Sequence, residues 1–129
     1  MSNVDIARAF SGHRFEEAFG HLSPDVTWHL VGETTMHGRD AVMAACRGTA
    51  DENADTTTSW LRFVSAGTGD VVAVDAIARY EGPEGTSTVS SCDIYEFDGD
   101  VVRAITTYAV LLTPDAAGAP AELAEPSAG

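Results

Sequence analysis

The chain has 129 residues, 44% of them hydrophobic, which is enough for one domain with a buried core and too little to suggest two. Its 20 acidic and 7 basic residues give a formal charge of −13, which should repel nucleic acid and anionic membranes, so we expect neither as a partner. Every basic residue is arginine, so no lysine can form a Schiff base with a carbonyl substrate or with pyridoxal phosphate.

The sequence shows neither a targeting segment nor a cofactor motif. No apolar run approaches about 20 residues, and residues 1–5 lack the basic start of a secretory signal, so we expect a cytoplasmic protein. Cys46 and Cys92 fit no metal-ligand spacing, and His13, His21 and His37 read as helix-terminal or surface residues. The glycine-containing turns lie between strands and not before a helix, so we expect no nucleotide or metal cofactor.

The first half of the chain is predicted to be mainly helical. Hydrophobic spacing predicts a short helix broken at residues 11–12 and a second helix over 15–22 that Pro24 stops. A short strand is expected over 26–31, and a third helix over 38–46.

The second half reads as four strands in an antiparallel meander, over residues 58–65, 71–80, 86–97 and 101–112. Helices at one end of the chain and a meander at the other predict an α+β fold, in which a curved antiparallel sheet wraps the helices. Residues 1–113 would form this single domain. Residues 114–129, rich in Ala, Pro and Glu without periodicity, would form a flexible tail.

Two carboxylates stand out because they lie in predicted strands among apolar and small residues. Asp75 follows Val-Val-Ala-Val, and Asp93 is preceded by Val-Ser-Ser-Cys and followed by Ile-Tyr. A buried carboxylate without a partner costs several kcal/mol, so it is normally hydrogen-bonded, paired, or kept neutral for use in chemistry. These two acids are the primary candidates for catalytic groups.

The pairing of the two strands decides whether the acids meet. If Tyr80 lies opposite Thr88, Asp75 stands across from Asp93 on one face, and the pair would titrate as a coupled acid and base. The alternative places Asp75 on the outer face, paired with Arg62 or Arg103.

Period-two alternation predicts the residues that surround Asp93. Tyr95 would share its face and support it. The other predicted wall residues of an aromatic-lined cavity are Trp28, Leu30, Thr106 and Tyr108, with the Tyr108 hydroxyl as a donor to a ligand oxygen. His29 follows Trp28 and so points away by strict alternation, but the ordinary pKa of histidine suits a general base, and it is a further catalytic candidate.

The order of these motifs resembles the SnoaL-like branch of the nuclear-transport-factor-2-like superfamily. The resemblance covers residues 4–112, and its most specific parts are Gly38-Arg-Asp-Ala-Val42 and Tyr95-Glu-Phe-Asp-Gly-Asp100. It implies a cone-shaped α+β half-barrel that encloses an apolar pocket, commonly as a homodimer formed through the sheet. Members include ketosteroid isomerase, polyketide cyclases, limonene epoxide hydrolase and proteins without known activity, so the fold alone does not give the reaction.

The resemblance carries over only some functional residues. Asp93 matches the oxyanion-hole aspartate of ketosteroid isomerase, but the base and the tyrosine of that enzyme fall near Leu30 and Ile6, which argues against steroid isomerisation. Asp75 matches one aspartate of the epoxide hydrolase, whose second aspartate falls on Thr106. The aspartate acid/base chemistry of the polyketide cyclases is what the remaining residues still support.

The sequence therefore favours a cofactor-independent enzyme that uses aspartate acid/base chemistry on an apolar, oxygen-bearing small molecule. Cyclisation, isomerisation, dehydration and epoxide opening all stay open. The alternative is a non-catalytic member of the fold that binds a hydrophobic ligand or serves in dimerisation.

Overall fold

The computed structural model describes residues 1–112, and the tail predicted over 114–129 lies outside them. The first helix, α1 (Asn3–Ser11), begins with a capping box. The Ser2 hydroxyl accepts a hydrogen bond from the Asp5 backbone N–H at 3.1 Å, and the Asp5 carboxylate accepts one from the Ser2 N–H at 3.0 Å. A cap of this kind stabilises a helix by about 1 kcal/mol, because it satisfies N–H groups that lack an intrahelical partner.

The second helix is shorter than the spacing predicts. It consists of α2 (Phe15–Ala18) and a single 3₁₀ turn (Phe19–His21), and the chain is already extended at Leu22. A residue that precedes proline disfavours the helical conformation, so the chain leaves the helix before Pro24. Pro24 itself lies within strand β1 (Leu22–Leu30), where the pairing with the neighbouring strand is irregular and a missing N–H costs little.

Strand β2 (Thr34–His37) is an addition to the sequence prediction, since four residues are too few to show a pattern. It pairs antiparallel with β1. Helix α3 (Arg39–Glu52) follows and extends beyond the predicted end at residue 46. Its buried residues are Val42 and Cys46.

The four-strand meander is confirmed, with strands β3 (Thr57–Ala66), β4 (Val71–Gly82), β5 (Gly85–Asp98) and β6 (Val101–Leu112). The sheet order is β2-β1-β6-β5-β4-β3. The expectation of a wholly antiparallel sheet is wrong in one place, because β1 lies parallel to β6 and makes the sheet mixed. The sheet is curved and unclosed, and the three helices pack with it in an α+β arrangement.

The core lies between the helices and one face of the sheet, called here the inner face. Alternate residues of β4 and β5, such as Val74 and Tyr95, are fully buried on it. From α1, Ile6 and Phe10 pack against the same cluster. This alternation assigns each strand residue to the inner or the outer face. Only residues of the inner face can line a cavity between the sheet and the helices.

The N-terminal helix is also tied to two hairpin turns. The Asn3 side-chain amide donates to the backbone carbonyls of Gly69 and Gly99, both at 3.0 Å. These glycines belong to the turn regions after β3 and after β5. Within residues 1–112, none of the helices is long and apolar enough to cross a membrane.

The turn between β3 and β4 offers a test of this geometry. Gly67 has φ +93°, and a Cβ there would lie 2.2 Å from the carbonyl oxygen of Val71, whereas a Cβ on Gly69 would meet nothing within 4 Å. Gly67→Ala should lower the free energy of unfolding by at least about 2 kcal/mol, and Gly69→Ala should change it by less than about 1 kcal/mol, in urea titrations. Equal effects of the two substitutions would contradict the described turn.

Candidate functional site

The inner face encloses a cavity of about 240 Å³ next to the end of α1. Its lining contains one carboxylate, Asp93, and one imidazole, His13, together with hydroxyl groups and a set of aromatic rings. The aromatic residues that line it are Phe10, Phe15, Trp28, Trp60 and Tyr80. The cavity is therefore apolar over most of its wall and carries a few convergent polar groups, which is the usual composition of a small-molecule site.

Both carboxylate oxygens of Asp93 accept hydrogen bonds from hydroxyl groups. Ser11 Oγ donates to Oδ2 at 2.7 Å, and Thr107 Oγ1 donates to Oδ1 at 2.6 Å. Behind them, the Tyr95 hydroxyl lies 2.5 Å from Ser11 Oγ, and Trp28 Nε1 donates to Thr107 Oγ1 at 2.9 Å. The Tyr95 hydroxyl also forms a hydrogen bond with the Asp93 carboxyl group, so the chain of contacts runs from Trp28 through Thr107 to Asp93, and from there to Ser11 and Tyr95. We call these five residues the Asp93 network.

Three hydroxyl groups, those of Ser11, Thr107 and Tyr95, form hydrogen bonds with the Asp93 carboxyl group. When it is protonated, Asp93 also carries an O–H hydrogen of its own. Asp93 lines the cavity, so its O–H can point toward a bound molecule.

Burial raises the pKa of Asp93, because the low-dielectric surroundings penalise the carboxylate, while the hydrogen bonds from Thr107 and Ser11 oppose the rise. No salt bridge within residues 1–112 involves Asp93. A carboxyl group whose pKa is raised toward the working pH can both take and return a proton, which is the requirement for general acid/base catalysis.

Asp75 does not meet Asp93. Strand β4 pairs with β5 so that Tyr80 lies opposite Ser87 and Asp75 opposite Cys92. The predicted pairing was wrong by one residue, and a one-residue shift moves a side chain to the opposite face. Asp75 Oδ2 accepts a hydrogen bond from Arg62 Nε at 2.7 Å on the outer face, which is the alternative that the sequence left open.

Three other candidates also lie outside the cavity. Thr106 and Tyr108 pair with Ile94 and Cys92 and so belong to the outer face, where Tyr108 is 50% exposed. Their prediction as wall residues is wrong, because the inward residue of β6 is Thr107. His29 is exposed, and its Nδ1 lies 2.6 Å from Thr35 Oγ1, which places it on the outer side as strict alternation indicated.

The remaining candidates lie where the alternation placed them. Trp28 and Leu30 line the cavity. Tyr95 is fully buried behind it, and its hydroxyl forms hydrogen bonds with both Ser11 and Asp93. Burial also raises the pKa of the Tyr95 phenol well above its ordinary value, with the nearby Asp93 charge as a second cause, so Tyr95 stays a hydrogen-bond donor at neutral pH.

Several residues of the site were missed from the sequence, among them Ser11, His13 and Thr107. Ser11 looked like a helix end, and Thr107 was assigned to the wrong face. His13 was taken for a surface residue, but it lines the cavity. A polar Ser-Gly-His sequence directly after an amphipathic helix is the one signal that could have indicated a helix end turned toward the pocket.

A second, larger depression of about 830 Å³ lies between the end of α3 and the β4–β5 turn. It shares Tyr80 with the Asp93 cavity and carries the carboxylates of Glu52, Asp55 and Glu84. Among residues 1–112, no group of three or more His, Cys, Asp or Glu side chains is arranged to hold a metal ion. The smaller cavity is the better candidate, because it contains the desolvated acid.

The Asp93 network makes a matched pair of threonine substitutions informative. Thr107→Val leaves Trp28 Nε1 and Asp93 Oδ1 without their partner and should lower the free energy of unfolding by about 1–3 kcal/mol. Thr106→Val alters the adjacent, outward residue and should change it by less than about 1 kcal/mol. Urea unfolding of both variants at neutral pH is the measurement, and a Thr107 effect no larger than that of Thr106 would contradict the network.

Comparison with known proteins places the chain in a family. A family model described as a SnoaL-like domain matches residues 4–105. A comparison with curated proteins found no match.

Solved structures of similar fold come from several bacteria. An NTF2-like protein of unknown function from Cytophaga hutchinsonii is 24% identical with a TM-score of 0.70, over 82% of this chain and 94% of that one. An LEH-like epoxide hydrolase from M. tuberculosis is 13% identical with a TM-score of 0.66, over 84% of this chain and 82% of that one. A candidate isomerase of the SnoaL-like family from Agrobacterium tumefaciens is 11% identical with a TM-score of 0.63, over 86% of this chain and 97% of that one.

At these identities the solved structures show a shared fold and not a shared activity. They agree with the three helices and the six-stranded mixed sheet described above. The family model spans most of the chain, including strands β1 to β5 and every residue of the Asp93 network except Thr107. This protein belongs to the SnoaL-like domain family.

Proposed function

We propose that the protein is a cofactor-independent enzyme that uses Asp93 to move a proton on an uncharged, apolar, oxygen-bearing small molecule. The observation that carries the proposal is the Asp93 network, because it holds a desolvated, hydrogen-bonded carboxyl group at the wall of an apolar cavity. The SnoaL-like relatives, which include an epoxide hydrolase and a candidate isomerase, support a small-molecule enzyme of this general type.

Because the cavity is lined by a single carboxylate, it favours reactions in which one group removes a proton from the ligand and then returns it. In an isomerisation or an aldol-type cyclisation, one carboxylate can remove a proton from carbon and return it to another atom. Hydrolytic epoxide opening also needs a positioned water and a second acid. The positions that resemble the epoxide hydrolase acids, Asp75 and Thr106, lie on the outer face, so they give that reaction no support here.

The size of the cavity limits the ligand. An apolar cavity of roughly 150 Å³ can hold benzene, so about 240 Å³ fits a compound of one or two rings. The formal charge of −13 and the carboxylate in the wall disfavour an anionic ligand.

A second candidate function rests on the outer face. Val64, Val71, Tyr108 and Val110 are large apolar side chains that are between 42% and 60% exposed. They support self-association of two copies through the sheet, either to complete an enzyme dimer or as the function of a non-catalytic dimerisation module. A ligand-binding role for the same cavity without turnover is the other form of the non-catalytic alternative.

Two aspartate variants separate the enzymatic proposal from these alternatives. A panel of uncharged enolisable ketones is incubated with the protein in D₂O, and deuterium incorporation is followed by mass spectrometry. Asp93→Asn should slow protein-dependent exchange by at least about 100-fold, because it removes the base. Asp75→Asn removes a carboxylate from the adjacent strand but from the opposite face, and should leave the rate within about twofold.

The outcome that contradicts the proposal is equally specific. A loss of less than about tenfold in Asp93→Asn, or ~1.4 kcal/mol of barrier, would show that Asp93 is not the group that moves the proton. Exchange that depends on neither aspartate would favour the binding or dimerisation reading.

A further inference from the structure

We propose that His13 is a second ligand-contacting residue of the Asp93 cavity, where its imidazole N–H binds the ligand oxygen that gains negative charge when Asp93 removes a proton. The inference rests on the proposed function and adds a residue to its site. It also defines the ligand as an uncharged planar ring compound that carries a carbonyl or hydroxyl oxygen.

The backbone holds His13 in a conformation that few side chains adopt. It follows the end of α1 with φ +65°, in the left-handed region, and its backbone N–H donates to the carbonyl of Phe10 at 3.1 Å. A histidine tolerates this region better than bulky or β-branched residues do, but the conformation still carries a cost. The result is that the imidazole turns from the helix end into the wall of the cavity that Asp93 also lines.

Aromatic neighbours fix the plane of the imidazole. Its ring is stacked with Phe15 at 5.2 Å between centroids and with Tyr80 at 6.0 Å, with interplanar angles of 24° and 10°. Trp60 meets it edge to face at 5.4 Å. These three aromatic rings hold the imidazole on more than one side and restrict its rotation.

Both ring nitrogens of His13 are left open by the part of the chain that the structure describes. Among residues 1–112, no side chain or backbone group forms a hydrogen bond with the His13 imidazole. The single fully buried side-chain nitrogen or oxygen without a partner in that range belongs to Arg8, so the His13 nitrogens are reachable from solvent or the cavity. An imidazole that is held in place, has open nitrogens and lines the same cavity as Asp93 is arranged to contact a ligand there.

The imidazole is uncharged at neutral pH. Burial lowers the pKa of His13, because the charged form would lose its hydration. The titratable groups that line the cavity with it are Asp93 from β5 and Tyr80 from β4. Burial, followed by the Asp93 charge, raises the pKa of the Tyr80 phenol, which therefore also stays neutral.

The proton-transfer step balances with these two residues alone. Ionised Asp93 takes the proton from the carbon next to the ligand carbonyl, the C–H electron pair forms a C=C bond, and the carbonyl π pair moves to oxygen. The His13 N–H donates a hydrogen bond to this enolate oxygen without itself losing the proton. Asp93 then returns its proton to carbon or oxygen, so no oxidant, reductant or metal takes part.

The test uses two matched probes and the two tryptophans. Trp28 and Trp60 are the only tryptophans of the chain and both line the cavity, so their emission reports occupancy. The probe is 4-hydroxyacetophenone, an uncharged planar ring with both oxygen types, and 4-hydroxybenzoate is its anionic counterpart of similar size. We expect 4-hydroxyacetophenone to quench the emission and to shift the imidazole nitrogen resonances of His13, and 4-hydroxybenzoate to bind more weakly.

A pair of histidine variants completes the test. His13→Asn keeps a residue that accepts positive φ and should weaken binding of 4-hydroxyacetophenone about five- to tenfold, the effect of one lost hydrogen bond. His37→Asn alters an exposed histidine of β2 outside the cavity and should leave the affinity within about twofold.

The results that overturn the inference differ from those that overturn the proposed function. Quenching without any shift of the His13 nitrogen resonances would show that the probe enters without touching His13, and only the His13 role would fall. Failure of 4-hydroxyacetophenone to quench at millimolar concentration would overturn the ligand class and the inference with it. The Asp93-dependent exchange assay judges the proposed function separately from both results.

Discussion

The desolvation of Asp93 is the constraint on which the rest of the site depends. Moving a carboxylate out of water costs several kcal/mol, and within residues 1–112 no salt bridge offsets that cost. The protein instead supplies hydroxyl groups from α1, β5 and β6 that form hydrogen bonds with the carboxyl group. These bonds stabilise the charged form, and burial favours the neutral form, so the two protonation states are brought closer in free energy.

The same bonds connect the site to the fold. Ser11 lies at the end of α1, Thr107 on β6 and Trp28 on β1, so the Asp93 network joins the first helix to three strands, β1, β5 and β6. The strand residues of the network lie on the inner face. A one-residue shift in the register of a strand would therefore turn its network residue to the outer face, away from the site. The end of α1 contributes two residues to the site, since Ser11 forms a hydrogen bond with the Asp93 carboxyl group and His13, two residues later, lines the same cavity.

The sequence predicted the meander and the position of Asp93, and its errors have local physical causes. Strands β3 and β5 were predicted within about two residues of their ends because turn residues bound them clearly. Asp75 was misplaced because Gly82 pairs directly with Gly85 across a two-residue turn, which fixes a register one residue from the one assumed. Thr106 and Tyr108 were misplaced because residues 104–112 of β6 carry no charged side chain on either face, so the strand shows no polar alternation there. His13 was missed because its direction depends on a left-handed backbone conformation that composition does not reveal.

The most direct test of the central claim is the pKa of Asp93 in the folded wild-type protein, measured by a carboxyl-carbon NMR titration with Asp93→Asn for assignment. The account predicts a pKa above the value of about 3.9 for a free aspartate, because burial outweighs the hydroxyl donors. A pKa at or below that value would contradict it, since Asp93 would then be a structural carboxylate, permanently ionised by its hydrogen bonds and unable to hold a proton for a ligand.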